Sequence, residues 1–410
     1  MFPAGIVWNL GPGRPGAPYP IRQERRVEHM ATTVRDGRAE RDRRIDLFRG
    51  VALLMIFVDH IPGNPLARFT MHRLGFADAA EVFVLLAGMS AAAAYVPTFR
   101  RSWGLGATRV AGRCWTLYVA HVVLFCVVAA VVATASRLSG NPLYLEQINL
   151  LPLFAETDVA LANLVMLRYL PNQLDILPLY LVFLGLMPVA VPVLLRWPAA
   201  LLAVSAGLWG AAQAWGWSLP NTPGDTVWFF NPFAWQLLFV LGLLAGAGWF
   251  DRVAGHPAAA CLAVTCVMYA LAARAPWQAV EAFQDVALLP EGLVPQPDKT
   301  DLSAWRIAHI LALACLARGL GAPLGRLARS RAGLAVVLCG ARSLPVFCIG
   351  TVASVLGFVV LTELGRPLWL EVTVNLVGIA LLLLSAAALT WYRSHPWRKA
   401  EASGEAEGVA

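Results

Sequence analysis

Between Arg44 and Asn64 the chain reads IDLFRGVALLMIFVDHIPG, an apolar run with Asp46 and Arg49 near one end and Asp59 and His60 near the other. Arg49 and His60 are three helical turns apart, so both project from nearly one face, about 16 Å apart along the axis. Imidazole takes and returns protons near neutral pH, which suits general-base work on a hydroxyl. The neighbouring carboxylate of Asp59 can fix the tautomer or raise the basicity if the backbone lets the two side chains meet. The other reading of His60 is an interfacial histidine that ends a helix ahead of Pro62.

Other polar groups gather at the same predicted level. In GFADAAEVFVLLAG (75–88), Asp78 and Glu81 share a helix face. They can bind sugar-type hydroxyls or orient His60, or simply complement the dipole of a first helical turn. Asn64 follows the first run, Asp175 opens LDILPLY, and NPFAWQLLFVLG carries Asn231, Trp235 and Gln236. An amide inside an apolar run, as at Gln236, is expected to face a polar cavity or a partner helix. The segment PDKTDLSAWRIAHILALA adds Lys299, Asp301, Arg306 and His309, with His309 expected to hydrogen-bond within the bundle. His29, His72, His121, His256 and His395 read as structural, and the seven cysteines as core packing. There is no H-x-x-x-H, phosphate-binding glycine loop or G-x-S-x-G elbow, so no metal and no permanently bound cofactor is expected.

The elements that must position these groups are membrane helices. The 410 residues are 58% hydrophobic and 14% charged, against about 25% charge in a soluble protein. Their apolar blocks are each long enough to cross a hydrocarbon core of ~30 Å. The expected fold is all-α, a polytopic bundle of about ten transmembrane helices near 45–62, 78–97, 112–137, 174–195, 198–217, 232–250, 256–273, 304–320, 342–362 and 369–391. The stretch 151–170 reads as a helix lying on the membrane surface, and 330–340 as a second such piece. Residues 1–43 form a basic, Gly- and Pro-rich tail expected to be disordered, 44–392 the membrane domain, and 393–410 a second tail. Met30 offers a second start, which a native peptide beginning before it would exclude. The net charge of +7 is assigned to topology and not to nucleic acid. Lys and Arg concentrate in alternate loops, which places both termini in the cytoplasm. No internal repeat of the kind found in duplicated transporters is evident.

Taken together, RIDLFRGVALLMIFVDHIPGNP (44–65), GFADAAEVFVLLAG (75–88), LRYLPNQLDILPLY (167–180), NPFAWQLLFVLG (231–242), DKTDLSAWRIAHILALA (298–314) and SLPVFCIG (343–350) resemble the OpgC family. These are integral membrane proteins that modify osmoregulated periplasmic glucans, within the wider acyltransferase 3 superfamily. That superfamily's signature, an Arg and a His separated by ten residues in the first span, is matched by Arg49 and His60. The resemblance implies a multi-pass enzyme of the bacterial inner membrane. It would pass an acyl group, succinyl in this family, from cytoplasmic acyl-CoA to a hydroxyl of a periplasmic glucan, with membrane lipid as its surround. It also implies that His60 is catalytic. The mechanism expected here has His60 as general base, oriented by Asp59 or Glu81, with Arg49 contacting the donor's pantetheine arm or organising the inner half of the channel; an acyl-His60 intermediate is the alternative to direct transfer. A succinyl carboxylate would want a cation from among Arg68, Arg73, Lys299 and Arg306. The alternatives are a proton-coupled transporter, a non-catalytic partner of a glucan synthase, or an acyltransferase acting on another envelope glycan.

Overall fold

The structure, a computed structural model, describes residues 42–223, 226–279 and 283–394. Met30, His29, His395, Lys399 and most of both expected tails lie outside the described residues, while Arg43 begins the first helix and Arg393 ends the last. Among the described residues the protein is all-helical apart from a two-residue antiparallel ladder, Pro220–Asn221 with Thr226–Val227.

Each stretch expected to cross the membrane is a helix: α1 (Arg43–Asp59), α2 (Ala79–Arg101), α3 (Trp103–Ser139), α4 (Ile176–Arg196), α5 (Pro198–Trp215), α6 (Pro232–Gly246), α7 (Pro257–Arg274), α8 (Ala304–Gly319), α9 (Ser343–Glu363) and α10 (Leu368–Arg393). Six of them, α2, α3, α4, α7, α9 and α10, are long and apolar enough to span. The count rises to seven if α8 and the short helix Gly321–Leu327, bent by 80°, form one broken span. Of the other four, α1, α6 and α8 are shorter, at 17, 15 and 16 residues. Apolar loop residues extend the hydrophobic run past the helix end, as at α6, where the helix stops at Gly246 but the run continues to Phe250.

Two helix pairs touch backbone to backbone. A Cβ on Gly242 of α6 would lie 2.2 Å from the Leu85 carbonyl oxygen of α2, and one on Gly88 would lie 2.1 Å from that of Phe239. The helix Arg331–Ala341, expected on the membrane surface, instead packs along α1. There a Cβ on Gly340 would lie 1.8 Å from the Asp46 carbonyl oxygen, and one on Gly50 would lie 2.0 Å from that of Val336. Small residues at these crossings let apolar helices gain packing contact where no hydrophobic effect drives them together.

The stretch 151–170 is two short helices, Leu151–Ala155 and Thr157–Val165, followed by an irregular segment that carries Tyr169 and Leu170 into the core. Val119 and Val123 of α3, Leu262 and Met268 of α7, and Leu376 and Leu384 of α10 are exposed, an apolar outer face suited to a lipid surround. Cys126 and Cys261 share that exposure, and of the seven cysteines only Cys339 is buried. The expectation of core packing holds for Cys339 and for Cys114 and Cys348, which pack partly buried against the core, and fails for Cys126 and Cys261, because lipid, unlike water, does not drive a small hydrophobe inward.

Candidate active site

At the His60 end of α1 the bundle encloses a cavity of about 560 Å³. Its floor is the turn that follows α1. The His60 amide still donates to the Ile56 carbonyl (2.9 Å), and Asn64 then folds the chain back. The Asn64 amide nitrogen donates to the Val58 carbonyl (2.9 Å) and to Asn375 Oδ1 (2.9 Å), while Asn375 Nδ2 donates to Asn64 Oδ1 (3.1 Å). This reciprocal amide pair clasps the turn to α10. Gly63, at φ +72°, makes the reversal, and Arg366 donates to the Pro62 carbonyl at 2.8 Å.

His60 lines the cavity, yet its Nδ1 is sealed from solvent with no hydrogen-bond partner among the described residues. Nε2 is therefore the nitrogen turned to the cavity. Asp59 accepts a hydrogen bond from Thr70 Oγ1 (2.6 Å) and makes none with His60, as neighbours on a helix point apart.

The opposite wall is an ion network. Asp78 caps α2 by accepting from the Ala80 amide (2.9 Å), and Glu81 accepts from the Asp78 amide (2.8 Å), a capping box. Lys299 Nζ donates to Asp78 Oδ2 at 2.7 Å, and Arg306 bridges the two acids through Nη2 to Asp78 (3.1 Å) and Nε to Glu81 (2.5 Å). Burial alone would raise the Asp78 carboxyl, which sits in the loop ahead of α2. The Lys299 ammonium, the nearby His72 imidazole and the Arg306 guanidinium outweigh it and hold the group well below the usual carboxylate range. Asp175, in the loop ahead of α4, lacks such pairing, and burial pushes its carboxyl up to about 6.

Of the residues singled out from sequence, Asp59, His60, Asn64, Asp78, Asp175 and Lys299 line the cavity. The others, apart from Arg68 and Arg73, bond within the surrounding helices and loops. Asn231 donates to Asp301 Oδ1 (2.7 Å) and Trp235 Nε1 to the Lys299 carbonyl (3.0 Å), fixing the loop that carries the lysine. Gln236 exchanges hydrogen bonds with Ser205 of α5, and His309 Nδ1 accepts from the Ala77 amide at 3.1 Å, steadying the approach to α2. Glu81 and Arg306 sit behind the wall. Arg49, deeper in the bundle, reaches Asp46 (3.4 Å), the Leu86 carbonyl (3.3 Å) and Ser90 Oγ (2.5 Å). Arg68 and Arg73 line the cavity, whereas Arg306 does not.

Three lining residues carried no weight in the sequence reading. His72, read as structural, lies 4.0 Å from Asp78 Oδ2. Glu371, in the first turn of α10, has no motif around it, and Gln173 lies within LRYLPNQLDILPLY (167–180) but is not singled out there; their place in the fold brings both here. Among the described residues no cluster of His, Cys, Asp and Glu has the arrangement of a metal site.

No curated protein matches this chain. The family described as OpgC protein matches residues 41–394, a range that takes in every helix described above and the whole cavity. The chain, with its cavity built around the end of its first helix, therefore belongs to the OpgC family.

Proposed function

We propose that the protein is a membrane O-acyltransferase that moves an acyl group, succinyl by preference, from acyl-CoA to hydroxyls of a periplasmic glucan. The observation that carries this reading is a cavity large enough for sugar units and lined by an imidazole with one nitrogen turned inward. Family membership supports a glucan-modifying acyltransferase. In this reading all ten helices cross the inner membrane with both termini in the cytoplasm, and the cavity opens toward the periplasm. The donor thioester reaches it through the bundle past Arg49, which contacts the pantetheine arm.

His60 Nε2 removes the proton from a glucose hydroxyl as its oxygen attacks the thioester carbonyl. The C–S bond then breaks, and the thiolate leaves with the proton that His60 returns. Lys299, Arg68 and Arg73 supply positive charge on the cavity wall for the succinyl carboxylate, while Asp175 offers acceptors for sugar hydroxyls.

Mass spectrometry of periplasmic glucans tests the reading, using a deletion strain complemented with this chain or with its His60→Ala form. Additions of succinyl mass restored by the first and absent with the second are expected. Unchanged glucans in both strains would refute the acceptor, and additions retained by His60→Ala would refute the base.

A further inference from the structure

The imidazole of His60 lacks the carboxylate that usually fixes the tautomer of a catalytic histidine, since Asp59 is bound to Thr70 and Glu81 to Arg306. Beside it stands a different group. Gln173 Nε2 donates to the His60 carbonyl at 2.9 Å. Because a carbonyl needs a donor, this bond fixes which end of the amide is nitrogen. The other end, Oε1, is buried with no partner among the described residues, as is His60 Nδ1. An amide oxygen only accepts, and a neutral imidazole protonated at Nδ1 donates there, so the two orphaned atoms are chemically complementary. They are carried by two residues already joined through one hydrogen bond, from the Gln173 side-chain amide to the His60 backbone carbonyl.

The loop that delivers Gln173 is clipped firmly. Tyr169 Oη donates to the Asn149 carbonyl (2.6 Å), the Leu170 amide donates to Asn221 Oδ1 (2.8 Å), and the Asn172 amide donates to the Ile148 carbonyl (3.0 Å). Gln173 itself is held at φ +71°, a left-handed conformation that costs a non-glycine residue of order 1–3 kcal/mol and tends to persist at functional sites.

We propose that Gln173 is the positioning residue of His60: its Oε1 accepts the Nδ1 proton once substrate fills the cavity, holding the tautomer whose Nε2 is the free base. This rests on the reading of His60 as base given above. No covalent step is added; the amide orients the ring and keeps it neutral, where a carboxylate would make it more basic. The other ionisable groups that line the same cavity are Asp59, His72, Asp78, Asp175, Lys299, Glu371, Arg68 and Arg73. All of these remain unchanged in the variants that test the idea.

The experiment follows transfer from succinyl-CoA to unsubstituted periplasmic glucan by the purified full-length chain, as a function of pH, for wild type, Gln173→Glu, Gln173→Leu and His60→Ala. Gln173→Glu places a carboxylate against the ring and should move the acid limb of kcat/KM up by about one pH unit. Gln173→Leu should lower kcat by about 10- to 100-fold with KM little changed. With His60→Ala inactive, an acid limb in Gln173→Glu that coincides with wild type overturns the role of Gln173, even if Gln173→Leu fails to fold. Activity retained by His60→Ala overturns the base assignment instead, so the two failures are told apart.

Discussion

The cavity has two unlike walls. Along the start of α2 every charged group is matched: Asp78 meets Lys299 and Arg306, and Glu81 meets Arg306 and the Asp78 amide. Along the end of α1, His60 Nδ1 and Gln173 Oε1 are buried without partners. The first wall holds the shape of the site, because buried charges that are fully paired resist movement. The second keeps hydrogen-bonding capacity for a reaction. Both walls are polar and lie at one level of the bundle, so polarity alone does not mark a catalytic group; what separates them is whether the capacity is already satisfied.

The comparison breaks most visibly at Arg306. Arg306→Leu leaves Glu81 and Asp78 without their shared cation and should cost about 3–5 kcal/mol, seen as loss of folded protein on size exclusion and a fall in Tm. His60→Ala attacks the other wall: transfer should drop by about 10²–10⁴-fold while Tm stays near that of the parent chain. If His60→Ala unfolds the protein, or Arg306→Leu leaves it stable, the division between the walls is wrong.

Asn64 sharpens the division, since it lies on the reacting side but is fully bonded. Asn64→Leu strands Asn375 and should cost about 1–3 kcal/mol in thermal or denaturant melts, with activity falling in step with folded protein. The smallest effect on stability is expected at Lys299, whose side chain is 30% exposed. Lys299→Met should change stability by at most about 1 kcal/mol. It should slow transfer from succinyl-CoA several-fold more than from acetyl-CoA, and equal slowing with both donors would remove Lys299 from recognition of the acyl carboxylate.

Much of this was legible along the chain. Asp78 and Glu81 read as acids of a first helical turn, and α2 does start there, with the structure adding that the two form a capping box. The helical spacing of Arg49 and His60 holds, since α1 runs unbroken from Arg43 to Asp59. The amide of Gln236 does find a partner helix, through Ser205. The packing of Arg331–Ala341 against α1 was not legible, because a short apolar helix with basic ends reads the same on a membrane surface as in a groove. The glycines that decide the matter, Gly50 and Gly340, acquire meaning only when paired. Gln173 was hidden for a similar reason: the stretch 167–180 was legible as a motif, but nothing in it says which residue 113 positions earlier its amide meets.

By itself the sequence determined the helical, apolar character of the chain, the positions of its helices and the motifs that tie it to its family, because hydropathy and capping are local properties carried by neighbouring residues. Only the tertiary structure decided which polar groups face the cavity and which are consumed in holding it. Arg306 and Glu81 stand 225 positions apart, and whether they meet each other or a substrate depends on how α2 and α8 pack. Such pairings come from the geometry of the whole bundle, which decides whether a polar side chain is tied in behind the wall, as Arg306 is, or faces the cavity, as His60 does.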